Sequence, residues 1–298
     1  MEPIKKYLTE LLTSQDLTSE QERTLQIHKK EVTDFLLSEF AADKPSIKYA
    51  GSREKGTMIR DNYDLDIVCY FPNTDTRTLK EIRDAVSLHL GKNYMMEDKT
   101  SAERILNLKG STAPSTYHID VVPGRFIADT NDVFIYLADG DKDYLKTNLK
   151  THIETIADSG CVPVIRLAKI WAHRNKLEIK TFVLELFVVD ALKGSRTKDD
   201  LKVSFLKVME EMKNRFTTAM IEDPANTNNV VSRLVPPSSK IIVARAAETA
   251  FNKLDGSNDL SDWKAILGDV LHPGLLNIPR TTPVGTSPGL IPASPWSN

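Results

Sequence analysis

The first part of the chain alternates between helical and strand patterns of hydrophobic residues. Over residues 21–42, apolar side chains recur at steps of three and four with charged residues between them, which predicts an amphipathic helix. A short strand is predicted at 46–52, ending in a glycine turn, and a short helical turn within the polar segment 53–62. Residues 64–71 then predict a buried strand, which Pro72 ends.

The remainder of the chain changes from a mixed to a helical pattern. Residues 76–90 carry an apolar stripe at helical spacing, and two strands around a turn are predicted at 101–110 and 115–124. Further helices are predicted at 143–158, 161–176, 180–193, 200–216 and 238–253. The pattern therefore predicts an α+β fold, with a mixed lobe at 1–150 followed by a helical lobe at 151–271.

Residues 272–298 differ in composition from everything before them. Six prolines follow His272, with small and polar residues between them. Such a segment has too little apolar surface to offset the entropy of ordering, so we expect an extended or disordered tail. Its proline spacing favours a polyproline-like chain that a partner protein could bind in a groove, and a passive end is the alternative.

Composition and charge narrow the classes of function. The 298 residues carry a formal net charge of −2. The total charge therefore lacks the basic excess that is typical of proteins that coat long nucleic acids. Cys69 and Cys161 lie far apart without metal-binding spacing, which argues against a structural zinc site. The start of the chain lacks the apolar core of a signal peptide, and the most apolar run, 181–192, is too short to span a bilayer. We expect a soluble cytoplasmic protein without membrane contact.

Three acids occur in segments where a strand should be burying apolar side chains. Asp64 and Asp66 open one predicted strand, and Asp120 lies within another. Because strand side chains alternate between faces, Asp64 and Asp66 point the same way and Leu65 points the other way. Carboxylates from two neighbouring strands are suitable ligands for a hard cation, and two Mg²⁺ ions at such a cluster would serve phosphoryl transfer.

The turn before these acids offers a place for a phosphate group. Its sequence, GSREKGT, begins with Gly51 and Ser52, where the first strand gives way to a short helix. Backbone N–H groups and a hydroxyl at such a turn suit a triphosphate, and glycine permits a close approach. The spacing differs from that of a Walker motif. Each feature alone has an ordinary structural explanation, but their joint order along the chain favours a functional site.

The run GSREKGTMIRDNYDLDIV, at 51–68, resembles the signature of the nucleotidyltransferase superfamily related to DNA polymerase beta. The closer resemblance is to the branch that holds the 2′–5′ oligoadenylate synthases and the bacterial cGAS/DncV-like nucleotidyltransferases (CD-NTases). Three later segments are similar to motifs of that branch: VIRLAKIWAHRNK, IKTFVLELFVVDAL and IEDPANTNNVVSRL. The resemblance extends over roughly residues 20–270, and the motifs follow in the order of the family.

The resemblance implies a fold and a set of site residues. The fold is a polymerase-beta-like core, a mixed sheet with helices, packed against a helical C-terminal lobe with the active site in the cleft between. Asp64, Asp66 and Asp120 would be catalytic and would hold two Mg²⁺ ions, for which Mn²⁺ can substitute.

The same resemblance implies the nucleotide contacts. Gly51 and Ser52 would contact the donor triphosphate, and Arg166 and Lys169 would hold phosphates from the helical lobe. The three-residue spacing of Arg166 and Lys169 places both on one helical face. Thr181 stands where relatives have Ser or Gln near the nucleotide, which is a departure from the pattern.

Other polar residues have simpler interpretations. His118 shares a strand face with Asp120, which would allow it to approach the site, but we favour an ordinary exposed histidine. Glu185 lies within a very apolar helix and predicts a structural pair with a buried Arg or Lys. Asp223 and Asn229 predict caps that fix a loop.

The activity implied by the resemblance is the joining of NTPs into a cyclic di- or oligonucleotide messenger, with release of pyrophosphate, in bacterial anti-phage signalling. The resemblance also implies a regulatory or conjugating protein partner at the C-terminal tail. A polymerising or tRNA 3′-end nucleotidyltransferase is the alternative, although residues 271–298 cannot supply the RNA-binding domain that the archaeal CCA-adding enzymes carry. An inactive nucleotide-binding scaffold is a third hypothesis, which the presence of all three acids disfavours. The pattern does not specify the bases, the linkage or the ring size.

Overall fold

A computed structural model describes residues 3–106, 117–128, 130–138, 143–195 and 198–271. The predicted turn between the strands at 101–110 and 115–124 lies largely outside these ranges, and the Pro-rich tail lies outside them entirely. The predictions for both therefore stay predictions. Among the described residues, none of the helices combines the length and the hydropathy needed to cross a membrane.

The described ranges contain helices at both ends and strands mainly in the first half. The α-helices are α1 Pro3–Ser14, α2 Ser19–Glu39, α3 Gly51–Glu54, α4 Leu79–Leu90, α5 Leu149–Ala157, α6 Val162–Arg174, α7 Thr181–Ala191, α8 Leu201–Arg215, α9 Pro237–Leu254 and α10 Leu260–Leu267. The strands are β1 Ser46–Tyr49, β2 Leu65–Phe71, β3 Met96–Asp98, β4 Glu103–Ile105, β5 Ile119–Phe126, β6 Val133–Tyr136, β7 Tyr144–Thr147, β8 Glu222–Asp223 and β9 Asn226–Val230. A 3-10 helix spans Val231–Leu234.

Strand β5 is the centre of a mixed sheet. It runs parallel to β2 and pairs antiparallel with β4 at its start and with β6 at its end. The outer pairs are β1 with β2, β3 with β4, and β7 with β6. A parallel pair needs a long crossover, which α4, β3 and β4 supply between β2 and β5. The beginnings of β2 and β5, which carry the acids, therefore lie side by side within the sheet.

Both faces of β2 are covered, which explains its nearly continuous apolar sequence. Leu65 and Ile67 belong to a core that also contains buried residues of α2 and α4. Val68 and Tyr70 pack on the other face, with apolar residues of β6. Asp66 lies two residues before Val68 and so shares its face. The prediction that Leu65 points into a core, away from the acids, is confirmed.

Side-chain caps mark the beginnings of the two helices that cover this sheet. Thr18 and Gln21 form a capping box at the start of α2, and Thr78 and Glu81 form another at the start of α4. Each box satisfies backbone N–H groups that have no partner within the helix. Both helices begin within three residues of the predicted positions.

A second core is formed by the helical lobe. Helices α6, α7, α8, α9 and α10 contribute to it, and Trp171 and Trp263 are fully buried there. Helix α1 packs into the same core through Ile4, Leu8 and Leu11, although it precedes the sheet in the chain. The predicted division of the chain at residues 150 and 151 stays a prediction.

The predicted helix at 143–158 is wrong in its first part. Tyr144–Thr147 is strand β7, and α5 begins at Leu149 after Asn148, whose side chain accepts a hydrogen bond from the Thr151 N–H. Strand β7 pairs with the preceding strand β6, so strand pairing decided the conformation of four residues whose local pattern was ambiguous.

The loop around Asp223 has the structural role that was predicted for it. Oδ1 of Asp223 accepts from the Ala225 N–H at 2.8 Å and lies 2.7 Å from Nε2 of His152. Its Oδ2 accepts from the Asn229 side-chain amide at 3.2 Å. These contacts hold the β8–β9 hairpin against α5.

Candidate active site

The three predicted acids meet where β2 and β5 begin. In the parallel pair, Asp66 lies directly opposite Asp120, and Asp64 immediately precedes β2 on the same face. Nε2 of His118 lies 3.6 Å from Oδ2 of Asp64 and 3.6 Å from Oδ2 of Asp120. The expectation that His118 is exposed is wrong, because its side chain is largely buried between these carboxylates.

Like charges crowd the Asp66 carboxylate. Burial raises the pKa of Asp66 to about 8, and the charges of Asp64 and Asp120 act in the same direction. Lys55 and His118 oppose this shift without cancelling it. A cation placed among these carboxylates would relieve the repulsion and favour the ionised form of Asp66.

Asp120 differs from Asp66 because it has a close counter-ion. Arg104 of β4 lies opposite Asp120 in the antiparallel β4–β5 pair. Its Nε donates to Oδ1 at 2.7 Å and its Nη2 donates to Oδ2 at 2.8 Å. Burial alone would raise the pKa of Asp120, but hydrogen bonds from Arg104 and His118 outweigh burial and lower this pKa.

The Gly51–Ser52 turn lies against the Asp66 carboxylate. Gly51 has a φ of +70°, and the Ala50 N–H donates to the Asp66 carbonyl at 3.0 Å. A Cβ at position 51 would lie 1.6 Å from Oδ2 of Asp66. Ser52 is buried, and its carbonyl accepts from the Thr57 N–H at 2.8 Å. The turn is therefore fixed beside the acids, and only glycine fits its first position.

We expect Gly51→Ala to abolish most of the activity by displacing Asp66. Both the left-handed backbone and the overlap with Oδ2 of Asp66 oppose the new side chain. Gly256→Ala is the matched control, because Gly256 has the same φ of +70° and no atom within 4 Å of the new Cβ. Each variant should lose about 1–2 kcal/mol from the backbone strain.

Only Gly51→Ala should also lose about 10²-fold or more in turnover, since misplacement of a reacting group by about 1 Å has a cost of that order. Thermal unfolding and NTP turnover, measured on both variants, separate the two effects. Equal activity in the two variants would contradict the placement of Asp66 in the active site.

A buried charge cluster joins the first lobe to the helical lobe. Glu185 of α7 is fully buried, its Oε2 accepts from Lys55 at 2.5 Å, and its Oε1 accepts from the Thr57 hydroxyl at 2.5 Å. Nζ of Lys169, on α6, lies 3.9 Å from Oε1 of Glu185. The predicted pairing of Glu185 with a buried cation is confirmed.

The two lysines of this cluster also act on the acids. Burial lowers the pKa of Lys169, while the charges of Glu185, Asp64 and Asp66 oppose that shift. The Lys55 charge in turn lowers the pKa of Asp66. Two ammonium groups therefore add positive potential near the carboxylates, where an anionic substrate would need it.

Two other predicted nucleotide contacts lie apart from this cluster. Arg166 donates to the Met58 carbonyl at 3.1 Å, to the Leu12 carbonyl at 3.2 Å and to Oδ1 of Asp16 at 2.7 Å. It thereby joins α1 to the segment that follows α3. Thr181 is exposed at the first residue of α7. No contact among the described residues brings either side chain to the acids, and their roles toward a nucleotide stay predictions.

Comparison with known proteins gives a relative in sequence and several in fold. No family model matches the chain. A curated relative, the cyclic AMP-AMP-AMP synthase of Escherichia coli strain MS 115-1, is 25% identical over 70% of this chain and 75% of its own length. Escherichia coli MS115-1 CdnC, solved with ATP, matches with a TM-score of 0.73 and 19% identity, covering 91% of this chain and 99% of CdnC. The chain therefore has the fold of the cGAS/DncV-like nucleotidyltransferases.

Two further solved members of the CD-NTases share the fold. Bradyrhizobium diazoefficiens CdnG, in complex with GTP, has a TM-score of 0.72 at 14% identity over 89% of this chain and 96% of CdnG. Vibrio cholerae DncV, a cyclic AMP-GMP synthase, has a TM-score of 0.62 at 18% identity over 89% of this chain and 80% of DncV. The predicted fold class, a mixed sheet with helices beside a helical lobe, is confirmed.

The donor chemistry of the three acids suits Mg²⁺, because hard cations prefer carboxylate oxygens and the crowding at Asp66 favours a cation. In the part of the chain that the structure describes, however, no group of three His, Cys, Asp or Glu side chains is arranged to hold an ion. Both oxygens of Asp120 accept hydrogen bonds from Arg104. The three predicted ligands thus lie together, and the guanidinium of Arg104 is bound to the third of them, Asp120.

Three basic residues of the site were not placed there by the sequence analysis. Lys55 lies within the quoted GSREKGT run, but its pair with Glu185 is 130 positions distant and leaves no local signal. Arg104 lies opposite Asp120 only through the β4–β5 register. His118 was noted on the face of Asp120, and that alternation was the one signal that could have placed it at the site.

Proposed function

We propose that this protein is a CD-NTase, a metal-dependent nucleotidyltransferase that joins NTPs into a cyclic di- or oligonucleotide second messenger. The observation that carries the proposal is the register of the parallel β2–β5 pair, which sets Asp66 opposite Asp120 with Asp64 beside them. The buried Gly51–Ser52 turn lies against the same carboxylates. Three carboxylates beside a turn of this kind suit transfer of a nucleotidyl group from a triphosphate.

Each part of the site has a role in this proposal. Asp64, Asp66 and Asp120 would hold Mg²⁺, or Mn²⁺ in its place, which supplies Lewis-acid stabilisation of the charge on the reacting phosphate. The Gly51–Ser52 turn would bind the triphosphate through backbone N–H groups. Lys169 would add positive potential from the helical lobe, and its partner Glu185 fixes its position.

The reaction proposed is in-line substitution at the α-phosphorus of an NTP. A ribose hydroxyl oxygen of the acceptor nucleotide forms a new bond to phosphorus, and the bond from phosphorus to the pyrophosphate oxygen breaks. Pyrophosphate leaves with that electron pair, and the hydroxyl proton passes to solvent. Ring closure is the same substitution within the linear product: its free ribose hydroxyl attacks the α-phosphorus of its own 5′-triphosphate, and another pyrophosphate leaves. The protein contributes chiefly by positioning the two nucleotides and stabilising negative charge.

The relatives suggest substrates and a partner. Escherichia coli CdnC is solved with ATP and also in a complex with a HORMA protein. We propose by analogy that ATP is among the substrates and that a protein partner regulates synthesis in anti-phage defence. Both cysteines are buried free thiols, which fits a reducing cytoplasm where NTPs are available.

Pyrophosphate release provides the direct test of nucleotidyl transfer. We expect purified protein to release pyrophosphate from NTPs with Mg²⁺ or Mn²⁺ and to stop when the ion is chelated. Activity that persists after chelation would contradict the proposed role of the carboxylates. Release of inorganic phosphate instead of pyrophosphate would indicate a phosphatase and not a nucleotidyltransferase.

Lys169→Met should weaken NTP binding more than it changes folding. The substitution removes a buried charge at similar length, and Glu185 keeps its pair with Lys55. A charge-assisted phosphate contact contributes about 1.5–3 kcal/mol, so KM for NTP should rise by about 10- to 150-fold. The exposed Lys193→Met is the control for loss of one positive charge. An unchanged KM and kcat would show that Lys169 has only a structural role.

A further inference from the structure

The β4–β5 pair contains an arginine whose position the activity alone does not explain. Arg104 lies opposite Asp120 in the antiparallel register, with two nearly parallel hydrogen bonds between the guanidinium and the carboxylate. Both side chains are mostly buried, with 14% of Arg104 and 16% of Asp120 exposed. A bidentate pair of this kind, held between two adjacent strands, has a single well-defined geometry.

The placement matters because Asp120 is one of three carboxylates proposed to bind a divalent cation. Asp64 and Asp66 are not engaged by an arginine in any contact that the structure gives for the described residues. Arg104 therefore compensates one acid of the cluster and leaves the repulsion on Asp66. The Arg104 guanidinium donates to both oxygens of Asp120. A cation bound to the same carboxylate would therefore be repelled by the positive charge of Arg104.

We propose that Arg104 is a built-in counter-ion that competes with a divalent cation for Asp120. This inference rests on the proposed function. In the substrate-free protein, Asp64 and Asp66 are the two carboxylates of the cation site for which the described residues show no arginine partner. Asp120 becomes a ligand only when Arg104 is displaced from it. Arg104 thereby raises the cation concentration at which Asp120 binds the ion. It acts on the reaction through Asp120 and does not itself contact the substrate.

A structural role for Arg104 predicts the opposite effect on cation binding. If the guanidinium merely orients Asp120 toward the ion, as groups behind a metal ligand commonly do, its removal should weaken binding by about 10- to 100-fold. If it competes, its removal should strengthen binding. The sign of the change therefore separates the two roles.

The experiment uses the full chain without nucleotide and Mn²⁺ as the probe, with free Mn²⁺ measured by electron paramagnetic resonance. We expect Arg104→Gln to bind Mn²⁺ at least about tenfold more tightly than wild type, which is about 1.4 kcal/mol. Arg104→Lys keeps the charge but loses the fork, so its affinity should lie between the two. Arg125→Gln is the control, because Arg125 of β5 donates to the backbone carbonyls of Asp75 and Arg77 and should leave Mn²⁺ affinity within about twofold.

A double-mutant cycle identifies Asp120 as the ligand released. The gain in Mn²⁺ affinity from Arg104→Gln should disappear in Arg104→Gln/Asp120→Asn. Thermal unfolding monitors the fold of every variant, and Arg104→Lys serves as the second test if Arg104→Gln fails to fold. The inference is overturned, with the proposed function intact, if Arg104→Gln binds Mn²⁺ no more tightly than wild type. If Arg104→Gln does not fold, the same outcome in Arg104→Lys overturns it. If wild type binds no Mn²⁺, either with or without NTP, the metal-dependent function itself is overturned.

Discussion

Asp64→Asn/Asp66→Asn protein is expected to fold normally and to form no product from NTPs. The two substitutions remove the carboxylates that open β2, and one transition-state-stabilising group alone contributes about 10²–10³-fold in turnover. We expect turnover to fall by at least about 10³-fold. The measurement is NTP consumption with Mg²⁺ or Mn²⁺, followed by chromatography of the products.

The fold of this variant should be retained or slightly stabilised without metal. Asp64 and Asp120 both repel the Asp66 charge, and asparagine removes that repulsion at similar size. Asp34→Asn is the control for removal of an acid outside the cluster, because Asp34 is exposed on α2, where it pairs with Lys30. Turnover at the wild-type rate in Asp64→Asn/Asp66→Asn would contradict the assignment of the active site.

Glu185→Ala should produce the largest loss of stability among the variants considered. Glu185 is fully buried and pairs with Lys55, Lys169 and the Thr57 hydroxyl. Its removal leaves two buried ammonium groups without their shared carboxylate, and breaking a buried pair in this way costs about 3–5 kcal/mol. Urea unfolding of the metal-free protein gives the change in the free energy of unfolding.

Two comparisons make the Glu185 result specific. Glu185→Gln keeps an acceptor for the Thr57 hydroxyl but loses the charge, so we expect a smaller loss than with alanine. The exposed Glu178→Ala should change stability by less than about 0.5 kcal/mol. Equal stability of Glu185→Ala and wild type would show that the two lysines do not depend on Glu185.

The sequence predicted those parts of the fold whose signals are local. The apolar stripe of α4 and the run of β2 are periodic, and capping boxes at Thr18 and Thr78 reinforce the helix starts. Strand β7 was wrongly predicted as helix, because its conformation depends on pairing with β6. Helix α1 was missed for a related reason, since its apolar face packs on helices that lie far along the chain.

The acids of the site were predictable because strand alternation and spacing place Asp64 and Asp66 on one face. Their cationic neighbours were not predictable, because Arg104 reaches Asp120 through a strand register and Lys55 reaches Glu185 across the two lobes. Lys169 was predicted from the resemblance as a phosphate contact, and its proximity to Glu185 could not be read from the spacing of α6. Pairs that depend on tertiary structure escape a pattern analysis of one chain.

The most direct measurement of the central claim is the structure of the nucleotide product. Purified protein is incubated with four labelled NTPs and Mg²⁺ or Mn²⁺, the mixture is treated with phosphatase, and the remaining labelled species are resolved and identified by mass spectrometry. We predict a phosphatase-resistant cyclic di- or oligonucleotide that is absent when Asp64→Asn/Asp66→Asn protein replaces wild type. Products that are only linear and lose their terminal phosphates, or no product with any combination of NTPs and metal, would contradict the claim.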